Sequence, residues 1–407
     1  MRILMLCSKF SLVPGDDYLT NELAEALVAE GHKVQVVLLD WVASASAASR
    51  RIGLPSGLDV LALPSWAMRG FGAQVERGTK WTLSPILAQR AFTDALSGHQ
   101  FDLLIAFSPA CTMSAQIRYA LRRLCRRSYL VIWDFFPFHH RSIGLITNPL
   151  VFRIARQLEE GLIRRFDVIG CMSPMNETYL RRNYRLRPTQ RTALLPIWGP
   201  NTQPEPKPRD AVRSSMNLPL DKKIVVFGGQ LTEGRGVEDV LAAAALARRH
   251  FPDLVFLFIG SGRLAGLVRS AIKSGADNVV YLERIPRASY LDVLTACDAG
   301  LVCTVRDVDV PTFPSKIIDY LRAGLPVVAS VEASTDFAAF VEKEGLGVSC
   351  LAGDAEGLRA AVSSLIADAQ RLAKMRRAAR RCLEEVFDVR LAARSIVTAF
   401  AAPESPS

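Results

Sequence analysis

The sequence predicts an α/β protein of two Rossmann-like domains facing across a cleft, and three observations carry that reading. The chain opens on strand–helix–strand, the signature of a parallel sheet. A second alternating series starts near residue 223. Between them, residues 199–223 (GPNTQPEPKPRDAVRSSMNLPLDKK) carry five prolines and little periodicity, which marks a linker.

The elements follow in order. MRILMLCSKF reads as a first buried strand. In TNELAEALVAEGHKVQVVLLD the apolar face Leu23, Ala24, Leu27 and Val28 makes a helix, Gly31 closes it, and VQVVLL is the second strand. Further strands are expected at 59–64, 101–107, 128–135 and 167–173, with helical patterns between most of them. After the linker come strand KIVVFGG, helix VEDVLAAAALARRH, strand LVFLFIG, helix LAGLVRSAIKSG, strand VVYLE, helix ASYLDVLTAC and strand AGLVCTV. The segment FPSKIIDYLRAGLPVVAS (313–330) adds a helix and a strand, and the remainder is helical almost throughout. The expected domains are 1–200, a linker at 201–222, 223–385, and a C-terminal helix and tail at 386–407 that packs back on the first domain.

Length and composition fit two globular domains: 407 residues, half of them hydrophobic and 22% charged. No run of 18 apolar residues exists, so no membrane-spanning helix is expected, and the start lacks the features of a signal peptide. The eight cysteines form no C-x-x-C pair and read as buried thiols of a reducing cytoplasm. His139 and His140 are adjacent, a poor arrangement for chelation, and no metal is expected. Charge is uneven: residues 1–200 hold 24 Lys+Arg against 15 Asp+Glu, while residues 201–407 hold 26 against 25. A basic half suggests an anionic partner. No helix-turn-helix, zinc finger or RNP-like stretch supports nucleic acid.

Three loops of the second half fall at strand carboxyl ends, where open α/β sheets bind ligands. They are GGQLTEGRG (228–236), GSG (260–262) before Arg263, and PTFPSKIID (311–319). Gly228, Gly229, Gly260 and Gly262 permit close backbone approach, and Arg235, Arg263 and Lys316 supply cations, a set suited to a diphosphate. Neither G-x-G-x-x-G after a first strand nor a Walker A sequence is present. Pro314 and Ser315 read as the approach and N-cap of a helix. Lys316 and Asp319, one turn apart, fit a phosphate and a ribose diol, or equally an i,i+3 surface ion pair.

These residues also carry a family resemblance. DYLRAGLPVVAS and the helices of 353–380 make the second half similar to the donor domain of retaining GT-B glycosyltransferases, glycosyltransferase family 4, over most of 223–385. In the first half LTNELAEALVAEGHKVQVV, LPIWGPN and the Asp-x-x-Pro of WDFFP resemble it more weakly. The FPSKIIDYLRAG form is similar to a bacterial subgroup that builds surface polysaccharides. Against the family pattern, Asp319 stands for the second glutamate and Pro311 for the first. Gln230 and Arg235 stand for an Arg and a Lys, and Trp133 stands for a His.

The resemblance implies a retaining transfer from a nucleotide-sugar donor to a glycan or lipid-linked sugar acceptor, without a metal or other cofactor. It assigns Arg235 and Lys316 to the diphosphate, with the backbone of Gly229 and Ser315, and Gln230 beside them. It gives Asp319 to the ribose, and Glu283, Arg284 and Ile285 to the nucleobase. Glu283 as a solvated strand end stands equally. Asp134, His139 and His140 are placed to line the cleft, against an ordinary structural role for each histidine. The basic stretches 117–130, 162–166 and 179–187 are read as solvated faces or as a seat on the cytoplasmic face of a membrane. A GT-B sugar-nucleotide epimerase and a catalytically silent partner subunit are the alternatives, the second resting on Pro311.

Overall fold

The computed structural model describes residues 1–13, 15–41, 48–66 and 73–400. The chain divides into two units, Met1–Ile197 with Val389–Ser407, and Trp198–Asp388. Each is built on its own sheet.

The first unit runs β1 (Arg2–Cys7), α1 (Leu19–Ala29), β2 (Lys33–Asp40), β3 (Arg50–Gly53), β4 (Asp59–Pro64), α2 (Ala73–Leu87), α3 (Gln89–Leu96), β5 (Phe101–Phe107), α4 (Ser114–Tyr119), β6 (Cys125–Ile132), α5 (Phe138–Ser142), α6 (Pro149–Ile163), β7 (Val168–Cys171), α7 (Pro174–Asn183) and β8 (Arg191–Leu194). The sheet order is β3-β4-β2-β1-β5-β6-β7-β8, parallel except for β3 on β4. Ile3 through Cys7 are all buried because helices cover both faces of a parallel sheet. Caps fix the helix starts: Asn148 accepts from the N–H of Leu150 and Val151, with Pro149 at the first helical position, and Ser173 does the same for Asn176.

The second unit runs α8 (Arg209–Ser215), β9 (Lys223–Gly228), α9 (Val237–Ala247), β10 (Leu254–Ile259), α10 (Ala265–Lys273), β11 (Val279–Leu282), α11 (Arg287–Thr295), β12 (Ala299–Cys303), α12 (Ile317–Arg322), β13 (Val327–Val331), α13 (Phe337–Lys343), β14 (Gly347–Leu351), α14 (Ala355–Ala367) and α15 (Ala369–Glu385). Its six parallel strands lie in the order β11-β10-β9-β12-β13-β14. The strand order therefore reverses between β9 and β12, and a crevice opens there at the carboxyl ends. In the first sheet the same reversal falls between β1 and β5.

Four expectations need correction. The Pro-rich stretch is not a free linker. Trp198 is fully buried, and Arg213 of α8 is 0% exposed. Arg213 donates to the carbonyls of Ala296, Pro219 and Lys222 and pairs with the buried Asp298. The periodicity was too weak to reveal α8, which is anchored by that buried guanidinium and by Val212. The boundary at 385 also moves: α15 and Asp388 stay with the second unit, and α16 (Val389–Thr398) packs on α1, where Arg394 pairs with Glu30 at 2.8 Å. The strand expected at 128–135 starts earlier, at Cys125 of β6, and so takes Arg126 and Arg127 of the basic run with it. The short strands β3 and β8 carry no alternation to read. Among the described residues, no helix is long and apolar enough to cross a membrane.

Candidate functional site

The crevice between β9 and β12 is lined by the loops that the glycines make possible. Gly228 ends β9, and a Cβ on it would stand 2.0 Å from the Tyr290 hydroxyl. Gly260 has φ +143, and a Cβ there would meet the Gly229 carbonyl oxygen at 1.8 Å. At Gly262 the obstacle is the Leu231 carbonyl at 2.2 Å. The loops after β9 and β10 are thus packed backbone on backbone, and the Leu231 N–H donates to the Ser261 carbonyl at 2.9 Å. Their glycines are required by that packing before any ligand arrives. Gly236 (φ +66) starts α9 against the Thr304 carbonyl, which brings the 229–236 loop to the end of β12.

Lys316 stands at the centre of this region. The helix starts slightly later than Pro314 and Ser315 suggested: Lys316 is the N-cap of α12, and Ser315 is an exposed turn residue whose carbonyl accepts from Ile318. The Nζ of Lys316 is sequestered from solvent and has no hydrogen-bond partner among the described residues. It lies 3.9 Å from the centroid of the Phe227 ring, a cation–π contact with the face of a β9 side chain. Burial pushes its pKa down to about 8; Cys303 opposes that shift and the charge of Arg235 adds to it. Arg235 is exposed on the neighbouring loop. Two cations therefore face one crevice. The third, Arg263, is 79% exposed and pairs with Glu233 at 2.6 Å.

Asp319 does not pair with Lys316. Arg287, at the start of α11, grips both its carboxylate oxygens at 2.5 and 2.7 Å. The i,i+3 pair is absent because Lys316 turns inward to the phenyl ring while Asp319 faces α11. Each Asp319 oxygen keeps a lone pair, so a ribose hydroxyl can still donate to it. Tyr320, fully buried, accepts from the Gly228 N–H at 3.1 Å and ties α12 to the end of β9.

The other expected residues are spread around this centre. Gln230 is exposed on the loop after β9. Glu283 is 79% exposed and pairs with Arg269 at 3.3 Å, the geometry of a solvated strand end. Arg284 is exposed and Ile285 half-buried at the same loop. Pro311 is buried.

Glu332 is a site residue the sequence reading missed. It is 4% exposed at the carboxyl end of β13. Its carboxylate accepts from the Thr304 hydroxyl and from the Thr312 hydroxyl (2.6 Å) and N–H (3.2 Å). It staples the 311–316 loop to the end of β12 and so positions Lys316. The available signal was a lone acid following a fully buried strand-like run, VVASVE, apolar but for Ser330.

In the first unit, Asp134 follows β6, beside the β1/β5 reversal. Its N–H and that of Trp133 donate to the Ser108 hydroxyl at 3.1 and 2.9 Å. His139 and His140 of α5 bring Nδ1 to 3.4 and 3.9 Å from the two Asp134 oxygens. Burial opposes ionisation of Asp134, but the hydrogen bond and charge of His139, with His140 and Lys9, outweigh it and hold the carboxyl below its ordinary pKa. These three residues offer ligand atoms within 4.8 Å of one another, the one such trio among the described residues, so adjacency does not keep the histidines apart as ligands. Glu159 of α6, 1% exposed, lies beneath and accepts from the N–H groups of Ala110 and Cys111 at 2.7 and 2.8 Å. Burial pushes its pKa up to about 7 against those two donors, with Asp134 adding to the rise.

Comparison with known proteins meets this geometry at both units. Residues 208–382 match the model of glycosyl transferases group 1, and residues 18–198 match a glycosyl transferase 4-like domain. The chain is 33% identical over 138 residues to the putative colanic acid biosynthesis glycosyl transferase WcaI of Escherichia coli, covering 33% of this chain and 32% of that protein. It is 28% identical to a D-inositol 3-phosphate glycosyltransferase of Segniliparus rotundus, over 58% and 53% of the two. The chain thus spans from about a third to just over half of these curated relatives. Among solved structures, sucrose-phosphate synthase of Thermosynechococcus elongatus superposes with TM-score 0.74 at 18% identity, covering 98% of each chain. HepE of Anabaena, in complex with UDP-glucose, superposes with TM-score 0.70 at 17% identity over 98% and 99%. Both likenesses speak to the fold, the two parallel-sheet domains of GT-B proteins. With both of its units matched, the chain belongs to the glycosyl transferases of group 1.

Proposed function

We propose that this protein is a glycosyltransferase that moves a sugar from a nucleotide-sugar donor to a lipid-linked glycan acceptor in surface-polysaccharide assembly, with retention at the anomeric carbon. The observation that carries the donor half is Lys316: an ammonium sequestered at a strand-order reversal, with no acceptor among the described residues. A diphosphate supplies that acceptor. The UDP-glucose held by HepE supports the same reading.

Lys316 and Arg235 bind the diphosphate and stabilise the negative charge it gains as the glycosidic bond breaks, a preorganised electrostatic effect inside a poorly solvated crevice. The backbone of Gly229 and Ser315 assists, with Gln230 at the rim. Asp319, oriented by Arg287, receives the ribose hydroxyls, and Glu283, Arg284 and Ile285 flank the base. The acceptor hydroxyl attacks on the leaving-group face, so no protein nucleophile is required. Asp134 and His139 serve the acceptor side, where the carboxylate is held ionised. The seat of action is the cytoplasmic face of the membrane.

A silent partner subunit is the second reading, favoured by Pro311 and by the grip of Arg287 on Asp319. Thermal shift with UDP, GDP, ADP, TDP and CMP tests the donor site, since a ligand at about 100 times its Kd adds about 2.7 kcal/mol. A shift with one nucleoside diphosphate, lost in Lys316→Ala, is expected, and no shift with any nucleotide refutes the donor site. Release of sugar from the matching nucleotide-sugar then separates enzyme from silent subunit.

A further inference from the structure

Single exposed apolar side chains are ordinary on protein surfaces, but a row of them along one helix is not. α6 buries Phe152, Glu159, Leu162 and Ile163. Its outer side carries Leu150, Val151, Ile154 and Leu158, which are 64%, 50%, 49% and 43% exposed. Positions 150, 154 and 158 recur four apart and form one stripe, which Val151 widens.

The charges around the stripe have one sign. Arg153 and Arg164 lie along its flank, and Arg165 continues its line past the last turn; all three are exposed. The two acids of the helix do not oppose them. Glu159 is buried, and Glu160 is 17% exposed beside Arg156 at 3.9 Å. An apolar row edged by arginines complements a surface that is apolar within and anionic at its boundary.

We propose that α6 lies in the plane of an anionic lipid surface, with Leu150, Ile154 and Leu158 in the headgroup–acyl boundary and Arg153, Arg164 and Arg165 on lipid phosphates. This deepens the lipid-linked acceptor reading and rests on it for its purpose. The inward face of the same helix carries Glu159, which holds Ala110 and Cys111 at the end of β5. One helix diameter, about 10–12 Å, therefore separates lipid from the turn after β5 that Glu159 holds.

The test is co-sedimentation of the full chain with vesicles of phosphatidylcholine alone and of phosphatidylcholine mixed equally with phosphatidylglycerol. Two variants join it: Leu150→Ser/Ile154→Ser/Leu158→Ser and Arg153→Gln/Arg164→Gln/Arg165→Gln. All six positions are exposed, and a far-UV circular dichroism spectrum and melting temperature matching the unmutated chain are required of both variants. The unmutated chain pellets with the mixed vesicles, and each variant weakens binding on the order of tenfold or more. No binding by the unmutated chain overturns the proposal, as does a serine variant that binds equally well. A lipid-free dimer that the serine variant abolishes gives the stripe to a second copy and also overturns it. Thermal shift with UDP, GDP, ADP, TDP and CMP on the same samples keeps the two readings apart. A nucleotide shift without vesicle binding defeats this inference alone, and vesicle binding without a nucleotide shift defeats the donor site alone.

Discussion

Glu159 in the first unit and Lys316 in the second are ionisable groups buried near a strand-order reversal, and the two are opposites. Glu159 has its partners at home: two backbone N–H groups of the 110–113 turn meet its two oxygens. Lys316 has a phenyl ring and a neighbouring cation, and no acceptor among the described residues. A buried group already satisfied by its own chain is a structural device. One left without its counter-charge costs stability until something else supplies it. The contrast gives scaffolding to Glu159 and ligand binding to Lys316.

The largest expected effect breaks the comparison at Lys316. Lys316→Met lowers affinity for the nucleoside diphosphate by roughly 100-fold or more, the loss of a charge-assisted contact in a desolvated crevice. The same change stabilises the free protein at pH 7. The folded pKa is depressed from 10.5 to about 8, so stability is full above about 10.5 and falls as pH drops through 8. At pH 7 the ammonium costs up to about 3 kcal/mol, which methionine relieves. Isothermal titration and thermal unfolding on one preparation check both halves. Unchanged affinity in Lys316→Met would remove the lysine from the site.

Next in size is Arg213→Met, which leaves the buried carboxylate of Asp298 without its most deeply buried partner and strips four carbonyls of their donor. A loss of about 3–5 kcal/mol is expected in calorimetric unfolding. A loss below about 1 kcal/mol would restore the Pro-rich stretch to a linker.

Glu159→Gln sharpens the other side. The Glu159 pKa rises from 4.5 to about 7 on folding, so its contribution is complete below about pH 4.5 and is lost as pH rises through 7. That slope amounts to about 3 kcal/mol. The substituted amide cannot ionise, so the variant's stability is flatter between about pH 5 and 8. Four of the five tryptophans lie within residues 1–197, so urea unfolding read by tryptophan fluorescence follows this unit. An unaltered pH slope in the variant would place the proton elsewhere.

The smallest effect is a pH profile of binding. Above about pH 8 the free Lys316 loses its proton, and wild-type affinity falls up to about tenfold per pH unit. Lys316→Arg keeps its charge and flattens the profile. Equal slopes for the two proteins would mean that another group sets the dependence.

The sequence by itself determined the two α/β units, because buried parallel strands are continuous apolar runs bounded by glycine turns and amphipathic helices. Ile3–Cys7, Phe101–Phe107, Leu254–Ile259 and Ala299–Cys303 were legible on that ground. It also determined that Gly228–Gly236, Gly260–Gly262 and Pro311–Asp319 end up at one edge, since each follows a strand of one sheet. The tertiary structure decided what those residues face. Lys316 and Asp319 are one turn apart, yet one meets Phe227 and the other Arg287. The partners of Glu332 and Arg213, and the exposure of the row on α6, were likewise out of reach. Spacing along a chain fixes which side chains share an element. Whether a charge is paired, orphaned or stapled depends on which other element packs against it.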